Sequence, residues 1–306
     1  MKQGWRAPGL ARQLPIPIPP APNETTASYL GRLATVNHLA IDELKIHLGM
    51  NPTLLELRMR PPNLGRLVVI TGYSRDQLTR ALPELTSRHR DSTHLANWAR
   101  PACPRCIRRH TGGRVIRYYP SYVHACPKHR IWLSDKHSHR HRLLDISAVP
   151  EVLAAHTTHR RLARRHQPQP AQYAFRTARR LFEDNDFWNS FADTTAFAGI
   201  SNRLDILNPG ETRVLIDDPS FLAAIYPNAV DTAALLASPH WRRIASRKET
   251  VTRFLIELGT RVSGQRRTYW PRRNRDPIAN WIEGLSREHI DWKRIELPSR
   301  RIPRPL

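Results

Sequence analysis

Apolar positions recur along most of this chain at intervals of three and four, the spacing of one helix face. From about Thr26, with Thr26 or Ser28 as cap, Tyr29, Leu30, Leu33 and Ala34 fall on one side. Ile41, Leu44 and Leu48 mark a second helix that stops at Gly49. Leu64, Leu67, Val68 and Ile70 predict a short apolar helix. Thr71-Gly72-Tyr73 forms a turn after it, and Ser74 opens another helix carrying Leu78 and Leu82. Ser74 followed three residues later by Gln77 is a capping-box pattern. Short helix, glycine turn and capped second helix are the parts of a helix-turn-helix. Its outer side would present Arg75, Gln77, Thr79 and Arg80 to bases or phosphates; the alternative is an ordinary helical hairpin with a polar face.

The pattern changes twice. Pro15, Pro17, Pro19, Pro20 and Pro22 fix an extended segment over residues 1–23, either laid across a folded surface or hanging free. Residues 115–118 and 122–123 predict the strands of a short central hairpin. Helical spacing returns over 151–165, 171–184, 220–224, 232–237 and 248–258. No repeat of 20 to 50 residues is present. The expected fold class is therefore mainly α. It comprises the extended segment 1–23, a helical helix-turn-helix-like module 24–99, a small zinc-binding hairpin module 100–145, a helical C-terminal half 146–290 and a basic tail 291–306.

Charge narrows the function. Forty-nine Lys and Arg oppose 26 Asp and Glu among 306 residues, a formal +23. A compact protein with that excess repels itself unless a polyanion takes up the charge, and phosphate backbones do so with release of their counterions. DNA is the expected partner, while a membrane surface would require an amphipathic helix or a lipid anchor. No unbroken apolar run approaches about 18 residues, so no membrane-spanning helix is expected. The start, Met1-Lys2-Gln3-Gly4-Trp5-Arg6, has no apolar stretch of signal-peptide type. Three cysteines leave one over in any disulfide scheme, which predicts a cytoplasmic, reducing setting with thiols free for metal.

Those three cysteines carry the clearest chemistry. Cys103-Pro104-Arg105-Cys106 and Cys126-Pro127-Lys128-His129 repeat the pattern Cys-Pro-x-(Cys or His), with nineteen residues between the two turns. Each turn aims two ligands at one point, and backbone N–H groups can donate to the thiolates. Cys103, Cys106, Cys126 and His129 would close one tetrahedral Zn²⁺ site with no open position, which makes it structural. His110 and His124 compete for the fourth place without the matching spacing. Unliganded buried cysteines or a redox pair is the bland alternative. Arg105, Arg108, Arg109, Arg114, Arg117, Lys128 and Arg130 make this segment basic. Tyr118, Tyr119 and Trp132 lie among them, better suited to a mini-core over the metal than to base stacking.

Two further clusters are weighed. His137, His139 and His141 alternate as on a strand face, but only Asp135 and Asp145 accompany them, so a solvated run fits better than a second metal. Arg160, Arg161, Arg164 and Arg165, with His156, His159 and His166, make a strongly basic helix in which no acid follows Glu151. Phosphate contact is expected there. No catalytic residue is assigned: a Gly-rich phosphate loop and a Ser or Cys nucleophile with a partner are lacking, and Asp184, Asp186 and Asp205 form no discriminating pattern.

The order of these features resembles a known family. The proline-rich start leads into Ser28-Tyr29-Leu30-Gly31-Arg32-Leu33-Ala34, then the helix pair, Cys-Pro-x-Cys, a basic-aromatic stretch, and Cys-Pro-x-His followed by Ile131-Trp132-Leu133. Over roughly residues 12 to 165 this is similar to TniQ proteins of bacterial transposition systems. The resemblance implies a non-enzymatic accessory role, linking target DNA or a target-recognition complex to an AAA+ ATPase that recruits the transposase. It also implies the four zinc ligands, a bacterial cytoplasmic, nucleoid-associated setting, and room for a homodimer. Many relatives carry a further Cys-x-x-Cys where this chain has the 137–142 stretch. The alternative from another class is a stand-alone zinc-containing helix-turn-helix regulator reading an operator.

Overall fold

A computed structural model describes residues 9–50, 62–86, 97–133, 143–211, 214–271 and 276–285. The expectations for residues 1–6, for the histidine–arginine stretch 137–142 and for the basic tail 291–306 lie outside the described residues. The chain is mainly helical with a small β region, and it forms two compact units, Met1–His139 and Arg140–Leu306.

Among the described residues of the first unit, four short helices enclose one apolar core: α1 (Thr26–Val36), α2 (Ile41–His47), α3 (Leu64–Thr71) and α4 (Arg75–Ala81). Tyr29, Leu30, Leu33, Leu44, Leu48, Leu67, Ile70, Leu78 and Leu82 meet there, the same stripes that the spacing predicts. The cap of α1 is neither Thr26 nor Ser28 but Thr25, whose hydroxyl accepts from the Ser28 N–H at 3.2 Å. Helix α3 ends on Gly72 at φ 71°, left-handed backbone that glycine adopts without steric cost. Ser74 and Gln77 then form the expected capping box at the start of α4.

The proline-rich segment lies across this core. Leu14 N donates to Ile70 O at 2.9 Å. The Asn37 amide clamps Ile16 by accepting from its N–H at 3.0 Å and donating to its carbonyl at 2.9 Å. Ile18 and Ala21 are buried.

The β region departs from expectation. Strand β2 (Ile116–Pro120) does not pair forward with residues 122–123. It pairs antiparallel with β1 (Asn97–Pro101), Asn97 opposite Pro120 and Pro101 opposite Ile116. Its other edge takes residues 23–25, through Tyr118 N to Asn23 O at 2.8 Å and Thr25 N to Ile116 O at 2.9 Å. Residues 120–123 are the turn itself, with Val123 N donating to Pro120 O at 2.9 Å, so no length is left for a return strand. A second small hairpin follows, β3 (Ala125–Cys126) against β4 (Ile131–Trp132).

The second unit contains α5 (Pro150–His166), α6 (Pro168–Glu183), α7 (Asn185–Phe191), α8 (Thr195–Leu207), α9 (Pro219–Ala237), α10 (Pro239–Ala245), α11 (Val251–Ser263) and α12 (Pro277–Glu283). Five of these begin with proline at the first helical position, where the missing N–H costs nothing. Helix α9 is the centre, packed by α5, α6 and α8. It runs unbroken through Pro227, where two separate helices were expected. The proline removes the donor that the Ala223 carbonyl would take, and in the same turn Arg203 of α8 donates from Nε to the Ala224 carbonyl at 2.8 Å. Among the described residues α9 alone is long and apolar enough to cross a membrane by length and composition, and 78% of its apolar window is buried inside the protein. Ser220, Asn228, Asp231 and Thr232 interrupt its sequence and hide that character from a search for unbroken apolar runs.

Candidate metal centre

The two Cys-Pro-x turns sit in different hairpins. Cys103 and Cys106 lie in the connection from β1 to β2, and Cys126 and His129 at the tight turn between β3 and β4. In the first turn Cys106 N and Ile107 N both donate to Cys103 O, at 3.0 and 3.2 Å, and the Cys106 and Arg105 N–H groups also approach the Cys103 sulfur. These contacts bend the chain so that both side chains face one point. The result is a cluster in which the ligand atoms of Cys103, Cys106, Cys126 and His129 all lie within 4.8 Å of one another.

The spacing fits a four-coordinate ion. With metal–sulfur bonds of about 2.3 Å and metal–nitrogen bonds of about 2.0–2.1 Å, tetrahedral angles put sulfur–sulfur edges near ~3.8 Å and sulfur–nitrogen edges near ~3.5 Å. Cys106 Sγ stands 3.6 Å from Cys126 Sγ, and the His129 Nδ1 lies 3.5, 3.2 and 3.7 Å from the sulfurs of Cys103, Cys106 and Cys126. Burial raises the Cys103 thiol above its ordinary range. Burial, then the neighbouring Cys126 and Cys103 sulfurs, pushes Cys106 up to about 12, although the rest of that residue is exposed. Three sulfurs this close resist ionising together, and a bound dication reverses that balance by neutralising them. The donor set therefore suits one metal ion.

The rival histidines stand elsewhere. His124 is buried against Trp132, ring centroids 5.6 Å apart, and close to the Arg100 guanidinium, which donates to the Val123 carbonyl. His110 lies outside the four-ligand cluster. The cluster is roofed by Ile131 and Leu133 with Tyr119 and Val123 packed on them, so these apolar and aromatic side chains form a small core over the ligands. Arg117 covers the outer face of Tyr119, its guanidinium 5.4 Å from the ring centroid.

A buried ion pair ties the centre to the N-terminal helices. Arg32 and Glu24 are both fully buried, Arg32 Nε donating to Glu24 Oε1 at 2.9 Å and Nη2 to Oε2 at 2.7 Å. Arg32 Nη1 also donates to Thr111 O at 2.8 Å and Nη2 to Pro19 O at 3.1 Å. One guanidinium thus joins α1, the proline-rich segment and the loop leaving Cys106. Gly112, at φ 91°, makes that approach possible: a Cβ there would lie 2.6 Å from the Arg32 carbonyl oxygen. Neither Glu24 nor Arg32 stands out as a site residue in the sequence. The available signal is that Arg32 falls three residues after Tyr29, a charge inside the buried stripe.

The residues expected to meet nucleic acid fall in three places. Arg75, Gln77 and Arg80 are exposed on α4, but Gln77 is partly committed, its Oε1 accepting from Ser74 N at 2.9 Å. Arg105, Arg108 and Arg109 are exposed beside the first cysteine turn. Arg160, Arg161, Arg164 and Arg165 are exposed along α5 of the second unit. His156 and His159 do not join that basic face. They point into the core, where His159 Nδ1 lies 3.1 Å from the Tyr226 hydroxyl and its ring 4.2 Å from Phe175.

The segment holding the four ligands, both hairpins and the Glu24–Arg32 pair matches the TniQ family model over residues 15–133. These residues form a TniQ domain. The match ends at Leu133, short of the resemblance drawn to residue 165, so the arginine-rich α5 lies outside the TniQ domain. No curated protein and no solved structure matches the chain.

Proposed function

We propose that this chain is a non-enzymatic accessory protein of DNA transposition whose TniQ domain is held together by one structural Zn²⁺. The observation that carries the reading is the coincidence of the TniQ match with a closed Cys₃His set. Four protein ligands leave no open coordination position, so the metal's work is folding. It fixes two hairpins that have little apolar core of their own and sets Arg105, Arg108 and Arg109 on a firm base. Those arginines, with Arg75 and Arg80 on α4 and Arg160, Arg161, Arg164 and Arg165 on α5, would meet DNA phosphates. In a TniQ-type role the DNA-bound protein passes target position to an AAA+ ATPase, alone or with a target-recognition complex, in the bacterial cytoplasm; a second copy of the chain is compatible with that role.

The operator-reading alternative gains less support. Helix α4 has only 7 residues, and bidentate readout of adenine needs both the oxygen and the nitrogen of a glutamine amide. The Gln77 oxygen is already used in the capping box. The test is fluorescence anisotropy of the full chain with labelled duplexes of unrelated sequence across a salt series. About five or more phosphate contacts would give a log–log slope of roughly −4 or steeper, with little preference among sequences. Salt-tolerant binding to one sequence, lost in Arg75→Ala, would favour the regulator instead.

A further inference from the structure

Cationic and aromatic side chains also meet in the second unit, far along the chain from the metal ligands. The ends of α5 and α9, the start of α10 and one face of α11 enclose a crevice of about 380 Å³ whose wall includes Arg165, His166, Trp241 and Arg261. Arg261 is neutralised by Asp231 at 3.2 Å and Glu257 at 3.1 Å. Arg165 and Arg242 are exposed and have no ion-pair partner among the described residues. Burial, then the nearby charges of Arg165 and Arg242, lowers the proton affinity of His166, which lines the same crevice. Arg242, the residue after Trp241 on α10, lines a second crevice of about 280 Å³ that the half-exposed ring of Tyr173 and the edge of the buried Trp281 also border. Two arginines with no acid partner among the described residues therefore stand close to His166, Arg165 in the wall that holds Trp241 and Arg242 in the wall that holds Tyr173.

Each class of anion would use this surface differently. A lipid headgroup or a phosphorylated side chain would engage the arginines and leave the aromatic walls idle. A duplex offers phosphates but keeps its bases stacked inside, out of reach of a recessed ring. An unpaired nucleotide uses both, with its phosphate on guanidinium and its base on an aromatic face. We infer that this surface of the second unit binds an unpaired stretch of nucleic acid, a phosphate held by Arg165 and Arg242 and the adjacent base placed against Trp241. It goes beyond the duplex contacts proposed above. Because Arg165 belongs to both surfaces, the test rests on Arg242 and Trp241.

The experiment compares binding of the full chain to a labelled oligothymidine of about ten residues and to a duplex of equal length, by anisotropy at matched ionic strength. Arg242→Ala and Trp241→Ala each weaken oligothymidine binding about fivefold or more, while duplex binding changes less than about twofold, as expected for one exposed side chain away from the duplex contacts. Trp241 lies 6.4 Å from Phe254 in the core, so Trp241→Phe serves as the ring-preserving control and should bind oligothymidine within about twofold of the parent. Equal losses on both probes, or no loss on oligothymidine in Arg242→Ala, would overturn the inference. A parent protein with no salt-dependent duplex binding would sink the duplex reading, and the losses on oligothymidine in Arg242→Ala and Trp241→Ala, with Trp241→Phe retained, would then decide this inference.

Discussion

Replacing Glu24 by glutamine should damage the TniQ domain more than any surface charge change. The Glu24 carboxylate receives four donors: Ser28 Oγ at 2.8 Å and Arg32 Nε at 2.9 Å on Oε1, and Ala21 N at 2.8 Å and Arg32 Nη2 at 2.7 Å on Oε2. A glutamine turns one oxygen into an NH₂ group, so at least one of these N–H donors then faces another donor. It also leaves the Arg32 guanidinium buried with no counter-charge. Removing one partner of a buried pair costs about 3–5 kcal/mol. For a unit of this size that is a fall in Tm of roughly 10–20 °C. The assay is thermal unfolding of the full chain by circular dichroism, following the first unit's transition with metal supplied. Asp42→Asn is the control, since the Lys45–Asp42 pair at 3.1 Å is exposed and should be worth under about 0.5 kcal/mol. A Glu24→Gln protein melting within about 1 kcal/mol of the parent would refute the claim that this pair joins helix, proline-rich segment and cysteine loop.

Three other predictions follow from single sites. Arg130, directly after the last ligand, sits at φ 51°, left-handed backbone that costs a non-glycine residue about 1 kcal/mol, so Arg130→Gly should stabilise the domain by roughly that amount in chemical denaturation. Cys106→Ser should lose the metal and with it roughly 10–16 kcal/mol of folding free energy, read as loss of soluble folded protein; a soluble, metal-free variant with intact hairpins would count against the site. Burial, then the Arg160 charge, lowers the proton affinity of His156, whose Nδ1 is buried with no hydrogen-bond partner among the described residues. The unfolded chain takes up that proton near the ordinary value of 6.5 and the folded chain only at lower pH. Stability of the second unit is therefore full above about pH 6.5 and declines as pH falls below it, and His156→Phe should flatten that acid limb in a pH series of denaturant midpoints.

The metal ligands were legible because Cys-Pro-x-(Cys or His) is a local constraint, complete within four residues. The first-unit helices were legible for a similar reason: their apolar stripes and caps are local, and only the cap of α1 moved, by one residue. The pairing of β2 was not, because its partners at 97–101 and 23–25 lie outside the window between the two cysteine turns. The Glu24–Arg32 pair is non-local in its consequences, and spacing alone cannot say that Thr111 and Pro19 converge on one guanidinium. In the second unit the expected helices 220–224 and 232–237 left a gap around Pro227 that α9 spans, and proline was passed over as a helix starter at Pro168, Pro239 and Pro277. The short helices α7, α10 and α12 have 7 residues each and lack the Ser-x-x-Gln capping pattern that marked α4 at the same length. His156 and His159 looked basic because their neighbours are arginines, yet helical spacing puts them on the face with Val152 and Leu162, which is buried.

The claim on which the rest depends is that Cys103, Cys106, Cys126 and His129 bind one ion. Elemental analysis of the purified chain together with X-ray absorption at the zinc edge tests it directly. The account predicts one zinc per chain with three sulfur neighbours at about 2.3 Å and one nitrogen at about 2.0–2.1 Å. A folded protein without stoichiometric metal, or a shell of nitrogen and oxygen alone, would contradict it.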